Sequence, residues 1–187
     1  FVPIVFLLYW FVFNKTYKTQ NGLLLIASIV FYLIADWKFI SLLAASGFVN
    51  FWLAKIIIQK QDESFSRRFL FYIGIIFNVG ILLYFKYLNF FIQSFVTLFN
   101  YNDAVNISFT PFHILLPLGI SFFTFQMIGY LIDVNNEEIE PTNDLLGFST
   151  YLAYFPKILS GPIEKVQDFL PQIQKKREFN YALTVDG

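Results

Sequence analysis

The chain has no cysteine among its 187 residues. That absence removes disulfides, thiolate nucleophiles and Cys-ligated metals from consideration, and it leaves the compartment unassigned. Histidine occurs once, at His113, and a lone imidazole with scattered acids has no metal-ligand spacing, so no metal site is expected. Charge is scarce: 14% of residues are Asp, Glu, Lys or Arg, where a soluble domain carries about 25%. The thirteen basic and thirteen acidic residues cancel, so the basic excess of a nucleic-acid binder is missing. Methionine also occurs once, at Met127, and the chain opens on Phe1 and stops at Gly187 after a polar stretch. It reads as a piece of a longer protein, truncated at both ends.

Apolar and aromatic residues are abundant. Hydrophobic residues fill 57% of positions, aromatics 21%, with 26 Phe and 11 Tyr, and the mean hydropathy is +0.58. Phe partitions into hydrocarbon and Tyr and Trp favour the headgroup level, so a bilayer accounts for both excesses. Charge is also unevenly spread: residues 1–132 carry 12 of the 26 charges, and residues 133–187 carry 14. Uncharged runs at 19–35, 39–54, 69–85 and 112–132 approach the roughly 20 residues that a helix needs to cross hydrocarbon. They lack the two-residue alternation of barrel strands. Helices are therefore predicted, with Phe1 to Phe13 as a truncated first membrane segment. The fold class is an all-α polytopic membrane protein: a multi-helix bundle with broken or re-entrant segments and an amphipathic interfacial helix.

Basic residues cluster at Lys15 and Lys18, at Lys55, Lys60, Arg67 and Arg68, and at Lys165, Lys175, Lys176 and Arg177. The positive-inside rule makes these three regions cytoplasmic. Two predicted helices separate the first two clusters, which returns the chain to the same side. Asp36-Trp37-Lys38 then forms an interfacial hairpin tip. The stretch from Asp133 to Asp144 holds five acids and no Lys or Arg, which permits an outside location. Leu88 to Phe99, interrupted by Asn89, Gln93 and Ser94, either lies in the interface or extends a neighbouring helix. After Pro162, the spacing of Ile163, Val166, Leu170 and Ile173 predicts an amphipathic surface helix that Pro171 breaks or restarts.

Two segments carry more polar and helix-breaking residues than lipid anchoring requires. The first runs Leu116-Pro117-Leu118-Gly119-Ile120-Ser121-Phe122-Phe123-Thr124-Phe125-Gln126. Pro117 is expected to kink the helix and free the carbonyl of His113, while Ser121, Thr124 and Gln126 either line a cavity or serve helix packing. The second runs Tyr154-Phe155-Pro156-Lys157-Ile158-Leu159-Ser160-Gly161-Pro162-Ile163. No continuous helix suits it, which leaves a re-entrant element or cavity wall, or an interfacial turn with Lys157 reaching the headgroups. His113 and Lys86 are read as interfacial residues, since no partner accompanies the imidazole and snorkelling suffices for the ammonium.

Together these segments resemble the membrane-bound O-acyltransferase family, in its bacterial branch of alginate O-acetylation and teichoic acid D-alanyl transfer proteins. The Leu-Pro-Leu-Gly-Ile-Ser-Phe-Phe-Thr-Phe-Gln core is followed in order by Tyr130-Leu131-Ile132-Asp133, the Phe155-Pro156 element and Gly161-Pro162-Ile163. Ser28-Ile29-Val30-Phe31-Tyr32, Asn50-Phe51, Phe85-Lys86-Tyr87-Leu88-Asn89-Phe90-Phe91 and Phe169-Leu170-Pro171-Gln172-Ile173 add to the likeness. Ser160 stands where Ala is common, Lys165 where Arg is expected, and Asn135 and Asn136 where aromatic and basic residues are often seen.

The resemblance implies that residues 1–187 form the N-terminal part of one membrane-embedded acyltransferase domain. Such an enzyme moves an acetyl or D-alanyl group from an activated cytoplasmic donor, of carrier-protein or coenzyme A type, to hydroxyls of a cell-envelope polysaccharide, with an extracytoplasmic acyltransferase partner. It implies no bound cofactor, a location in the inner (cytoplasmic) membrane, and a catalytic His in a later apolar segment rather than at His113. Within this chain the substrate-path candidates are Ser121, Thr124, Gln126, Tyr130, Asp133, Pro156, Lys157, Ser160, Gly161 and Pro162. The alternatives are a multi-span transporter or flippase for an envelope intermediate and a non-catalytic membrane scaffold.

Overall fold

A computed structural model of the chain describes residues 1–60, 64–100, 112, 114–161 and 164–179. Among these residues there are helices and turns and no strand. The chain order is α1 (Val2–Leu7), a π-turn (Leu8–Val12), α2 (Tyr17–Asp36), a 3-10 turn (Trp37–Phe39), α3 (Ile40–Ile58) and α4 (Phe65–Leu82). A second π-turn (Leu83–Tyr87) leads into α5 (Leu88–Asn100), and α6 (Ile120–Asn135), α7 (Leu145–Ala153), α8 (Phe155–Ser160) and α9 (Val166–Ile173) follow.

The long helices begin where the sequence supplies caps. Thr16 accepts from the Thr19 backbone N–H at 3.2 Å while the Thr19 hydroxyl accepts from the Thr16 backbone, a reciprocal box that starts α2. Ser64 accepts from the Arg67 N–H at 3.2 Å and starts α4. Among the described residues, three stretches are long and apolar enough to cross a membrane: Tyr17–Ala35, Trp37–Ile58 and Phe65–Leu98, of 19, 22 and 34 residues. The third settles the place of Leu88 to Phe99, because α5 continues α4 through a π-turn. Trp37 forms the predicted tip between α2 and α3.

Helix directions follow from side-chain pairs. Asn50 of α3 exchanges two amide hydrogen bonds with Asn78 of α4, at 3.2 and 2.7 Å, and both side chains are wholly buried. Arg67, near the start of α4, donates to the carbonyl of Asn135 and to Glu137 Oε1, each at 2.7 Å, at the end of α6. Nineteen residues further on, Lys86 donates to Ser121 Oγ at 3.1 Å, near the start of α6. The two contacts are about 28 Å apart along α4 and the π-turn that continues it, at about 1.5 Å per residue, close to the roughly 30 Å of bilayer hydrocarbon. α4 and α6 therefore run antiparallel between opposite interfaces. Between them Gly74 lets α6 approach closely: a Cβ there would lie 2.6 Å from Leu131 Cδ1.

The Arg67 contacts place the acidic stretch after α6 beside the basic loop before α4. An outside location for residues 133–144 together with an inside location for Arg67 is thus excluded: both lie at one end of the bundle, called here the basic face. The expected kink at Pro117 is also corrected. Residues 114–117 are not helical, Pro117 O accepts from the Ile120 N–H at 3.2 Å, and Gly119 holds φ 70° before α6 opens at Ile120. A left-handed residue ends the irregular lead-in, and glycine takes that conformation without a Cβ clash. Pro117 therefore precedes the helix rather than bending it. His113 lies outside the described residues.

Candidate functional site

Residues 145–177 enter the bundle and return on the same face. Thr150 of α7 donates from its hydroxyl to the Asn21 carbonyl at 3.3 Å, near the start of α2. Deeper, the Phe155 N–H donates to Ser28 Oγ at 3.2 Å, about 10 Å further along α2. The return is fixed by Asn21 Nδ2 donating to the Ile173 carbonyl at 2.9 Å. Gln20 then grips Arg177 from both sides: its Nε2 donates to the Arg177 carbonyl at 2.8 Å, and its Oε1 accepts from the Arg177 N–H at 3.0 Å. Of the open readings of the Pro156 region, the re-entrant one is the observed architecture.

The break at the deep end follows from local chemistry. α7 ends at Ala153, and Tyr154 takes φ −57° and ψ 101°, which suits a residue one step ahead of the Phe155-Pro156 start of α8. Pro156 sits in the first turn of α8, where its missing N–H costs nothing. Gly161 ends α8 in extended backbone, its N–H bonded to the Lys157 carbonyl at 2.9 Å. Ser160 closes α8; its side chain, and Pro162 and Ile163, fall outside the described residues.

Lys157 does not reach the headgroups. It is 7% exposed, pairs with the carboxylate of Glu164, and lies 3.3 Å from the Phe169 ring centroid, with Tyr151 and Tyr154 at 5.6 and 5.7 Å. One carboxylate and three aromatic faces thus enclose the ammonium, an arrangement that offsets its desolvation. The pair ties α8 to the approach to α9. The α9 face of Val166, Phe169, Leu170 and Ile173 is buried, with Phe169 against Tyr151 and Tyr154, so this amphipathic helix turns its apolar side to the protein. Pro171 lies inside α9 and neither breaks nor restarts it, because Leu170 and Ile173 are held in the core on either side.

The α6 candidates divide by depth. Gln126 is buried, donates from Nε2 to the Tyr151 carbonyl at 2.9 Å, and among the described residues its Oε1 has no hydrogen-bond partner. Thr124 is buried, and its hydroxyl likewise has no partner among the described residues. Tyr130 packs at a tilt against Phe148, ring centroids 5.0 Å apart, with its hydroxyl facing the Thr142 backbone. Asp133, just past the apolar run, is half-buried; burial and the neighbouring Glu138 push its carboxyl above the ordinary value, and Lys165 opposes them. Gln126, Tyr130 and Lys157 thus converge on α7, at Phe148 and Tyr151. Ser121 stands apart at the opposite end of α6 with Lys86.

Several residues central to this site have no site role assigned from the sequence. Tyr151, Glu164 and Phe169 build the cage around Lys157, and Gln20, Asn21 and Arg177 tether the returning arm of the hairpin. Adjacent amides opening a membrane helix, and paired asparagines within apolar runs, are the signals that could have found the tethers and the Asn50–Asn78 pair. Among the described residues no group of three or more His, Asp or Glu could hold a metal ion.

The chain is 34% identical over 182 residues to the probable alginate O-acetylase AlgI of Pseudomonas aeruginosa, which covers 94% of this chain and 33% of that protein. It is 34% identical over 183 residues to the protein of the same description from Azotobacter vinelandii, covering 94% and 34%. A peptidoglycan O-acetyltransferase of Helicobacter pylori is 30% identical over 202 residues, again across 94% of the chain and 37% of that protein. The chain belongs to the membrane-bound O-acyltransferase family. It spans about a third of the length of the curated relatives it matches. No protein-family profile matches this chain, and no solved structure does. In this chain the α6 segment that carried the resemblance packs through the Gln126–Tyr151 hydrogen bond against α7, which leads into the second such segment.

Proposed function

We propose that this chain belongs to an enzyme of the cytoplasmic membrane that transfers an acetyl or D-alanyl group to hydroxyls of a cell-envelope polysaccharide. The observation that carries the reading is the re-entrant hairpin of α7, α8 and α9, which brings interrupted backbone to membrane depth in a chain similar throughout to O-acetylases. Irregular backbone persists at that depth only where protein or water satisfies it, and a path for a polar acyl donor needs such a place. By the positive-inside rule the basic face, with Lys15, Lys18, Lys60, Arg68, Lys175 and Lys176, is cytoplasmic. The hairpin then opens toward a cytoplasmic donor of carrier-protein or coenzyme A type. The acceptor polysaccharide and an extracytoplasmic partner lie beyond the opposite face, where Lys86 and Ser121 meet. The chemistry is attack of an acceptor hydroxyl on the donor's acyl carbon, assisted by a general base. No residue of this chain is assigned as that base.

Gln126, Tyr130 and Lys157 shape the wall of the donor path, with the free carbonyl of Gln126 as its polar contact, and Ser121 lies toward the acceptor. The test replaces Ser121 with Trp, Gln126 with Trp and Lys157 with Met in the full-length protein, and measures ester-linked acyl groups on the envelope polymer at matched membrane levels. Gln126→Trp and Lys157→Met are expected to lose most of the acylation. Full activity in all three variants would refute the reading. No observation favours a transporter or a non-catalytic scaffold.

A further inference from the structure

Two clefts meet beside α1 and share Trp10 and Arg177. One, about 330 Å³, lies at the basic face between the π-turn after α1 and residues 176–179 and mixes charged and aromatic side chains, lined by Phe11, Asn14, Lys176, Glu178 and Phe179 as well as the shared pair. The other, about 310 Å³, is apolar and runs between α1 and α2 past Val5, Phe6 and Leu24 to Phe155 and Pro156, the turn of the re-entrant hairpin. A basic mouth at headgroup level that opens into an apolar slot has the polarity profile of one phospholipid molecule.

Arg177 supplies the charge argument. Its guanidinium is half-buried, and its partners are neutral amides: Nε donates to Gln20 Oε1 at 3.3 Å and Nη2 to Asn21 Oδ1 at 2.7 Å. Among the described residues no carboxylate lies within ion-pair distance of it, so its charge has no counter-ion. Glu178 pairs at 3.1 Å with Lys176, and side-chain exposures of 77% and 47% make that a weak, exchangeable contact. Lys175 and Lys15 add exposed positive charge nearby in the chain. Trp10 and Phe179 meet edge to face at 5.5 Å, as aromatic side chains do at a bilayer interface.

We propose that this composite cleft binds an anionic phospholipid of the cytoplasmic leaflet, its phosphate against Lys176 and Arg177 and one acyl chain in the slot that ends at Pro156. Basic pockets on the cytoplasmic side of membrane helices recognise anionic headgroups through this pairing of charge and apolar contact. The bound chain braces α1 against the hairpin, so the lipid stabilises the re-entrant element. The slot meets the hairpin turn from the α1 side, and Gln126, Tyr130 and Lys157 are not among its lining residues.

The test uses the full-length protein in detergent, with bound phosphatidylglycerol, phosphatidylcholine, inorganic phosphate and coenzyme A compared by native mass spectrometry and thermal unfolding. Phosphatidylglycerol is expected to be retained in preference to phosphatidylcholine and to raise the unfolding temperature. Lys176→Gln is expected to weaken that retention about fivefold, the worth of one basic residue at an anionic surface. Val5→Trp, which fills the slot, abolishes retention while leaving Lys176 in place, and Lys38→Gln on the opposite face changes nothing. Equal retention of the two lipids would overturn the proposal. So would inorganic phosphate protecting as well as the lipid, which marks a free-anion site, or coenzyme A displacing phosphatidylglycerol, which marks a donor site.

Discussion

Replacing Asn78 by Leu removes both hydrogen bonds that join α3 to α4 inside the membrane. In the wild-type chain Asn50 Nδ2 donates to Asn78 Oδ1 at 3.2 Å and Asn78 Nδ2 donates to Asn50 Oδ1 at 2.7 Å. Each amide also donates within its own helix, Asn50 to the Ser46 carbonyl and Asn78 to the Gly74 carbonyl, both at 2.8 Å. After Asn78→Leu, Asn50 keeps its intrahelical donor bond and is left with a buried carbonyl oxygen that nothing satisfies. Hydrogen bonds between membrane helices contribute about 0.6 kcal/mol each, up to about 1.7, and an orphaned buried acceptor costs about 1–3 kcal/mol. Each single Leu variant should therefore lose about 2 kcal/mol. The double variant strands no polar atom, so it should lose about 1–2 kcal/mol rather than the sum, an interaction energy of about 2 kcal/mol. Reversible unfolding of the full-length protein in mixed micelles, run as a double-mutant cycle, measures it. Losses that add to within about 0.5 kcal/mol would refute the reciprocal pair.

Gly119→Val places a β-branched residue at φ 70°, and it should lower stability by about 1–2 kcal/mol in thermal unfolding. Gly119→Asn should cost less because Asn tolerates the left-handed region; equal losses would argue against that backbone. At Asp133, burial and Glu138 raise the carboxyl's folded-state pKa. The folded chain therefore holds the proton more tightly than the unfolded one, and this contribution to stability is complete below the unfolded carboxylate pKa and lost as pH rises through the folded value. Asp133→Asn lacks that loss, so its stability relative to wild type should improve from pH 3.5 to pH 7, and a flat difference across the range would contradict the assignment.

The spans were legible because uncharged runs and the Trp37 tip are local signals of hydrophobic length and interfacial chemistry. The break near Pro156 was legible for the same reason, since two prolines and a glycine exclude a continuous helix. Its partners were not. Lys157 read as a snorkelling cation because nothing local places Glu164, Tyr151 and Phe169 around it; the return of the chain to α9 does. Pro117 read as a kink because its run is uniformly apolar, whereas Gly119 sets the helix start by a backbone conformation that composition does not show. The side of the acidic stretch also escaped a rule that counts cations, and one buried arginine, Arg67, decided it. Pro171 stayed inside a helix because its flanking apolar residues are pinned by tertiary contacts that outweigh one missing hydrogen bond.

The central claim is that α7, α8 and α9 enter and leave through the basic face, with the acidic stretch beside it. The sequence has no native cysteine, so single cysteines at Lys38, Lys60, Glu140 and Lys175 in the full-length protein, with any cysteine elsewhere replaced, can be probed in intact cells with an impermeant maleimide. The account predicts that the cysteines replacing Lys60, Glu140 and Lys175 are shielded together and label only in opened cells, while the one replacing Lys38 labels from outside. Labelling of the Glu140 position together with that of Lys38 would contradict it.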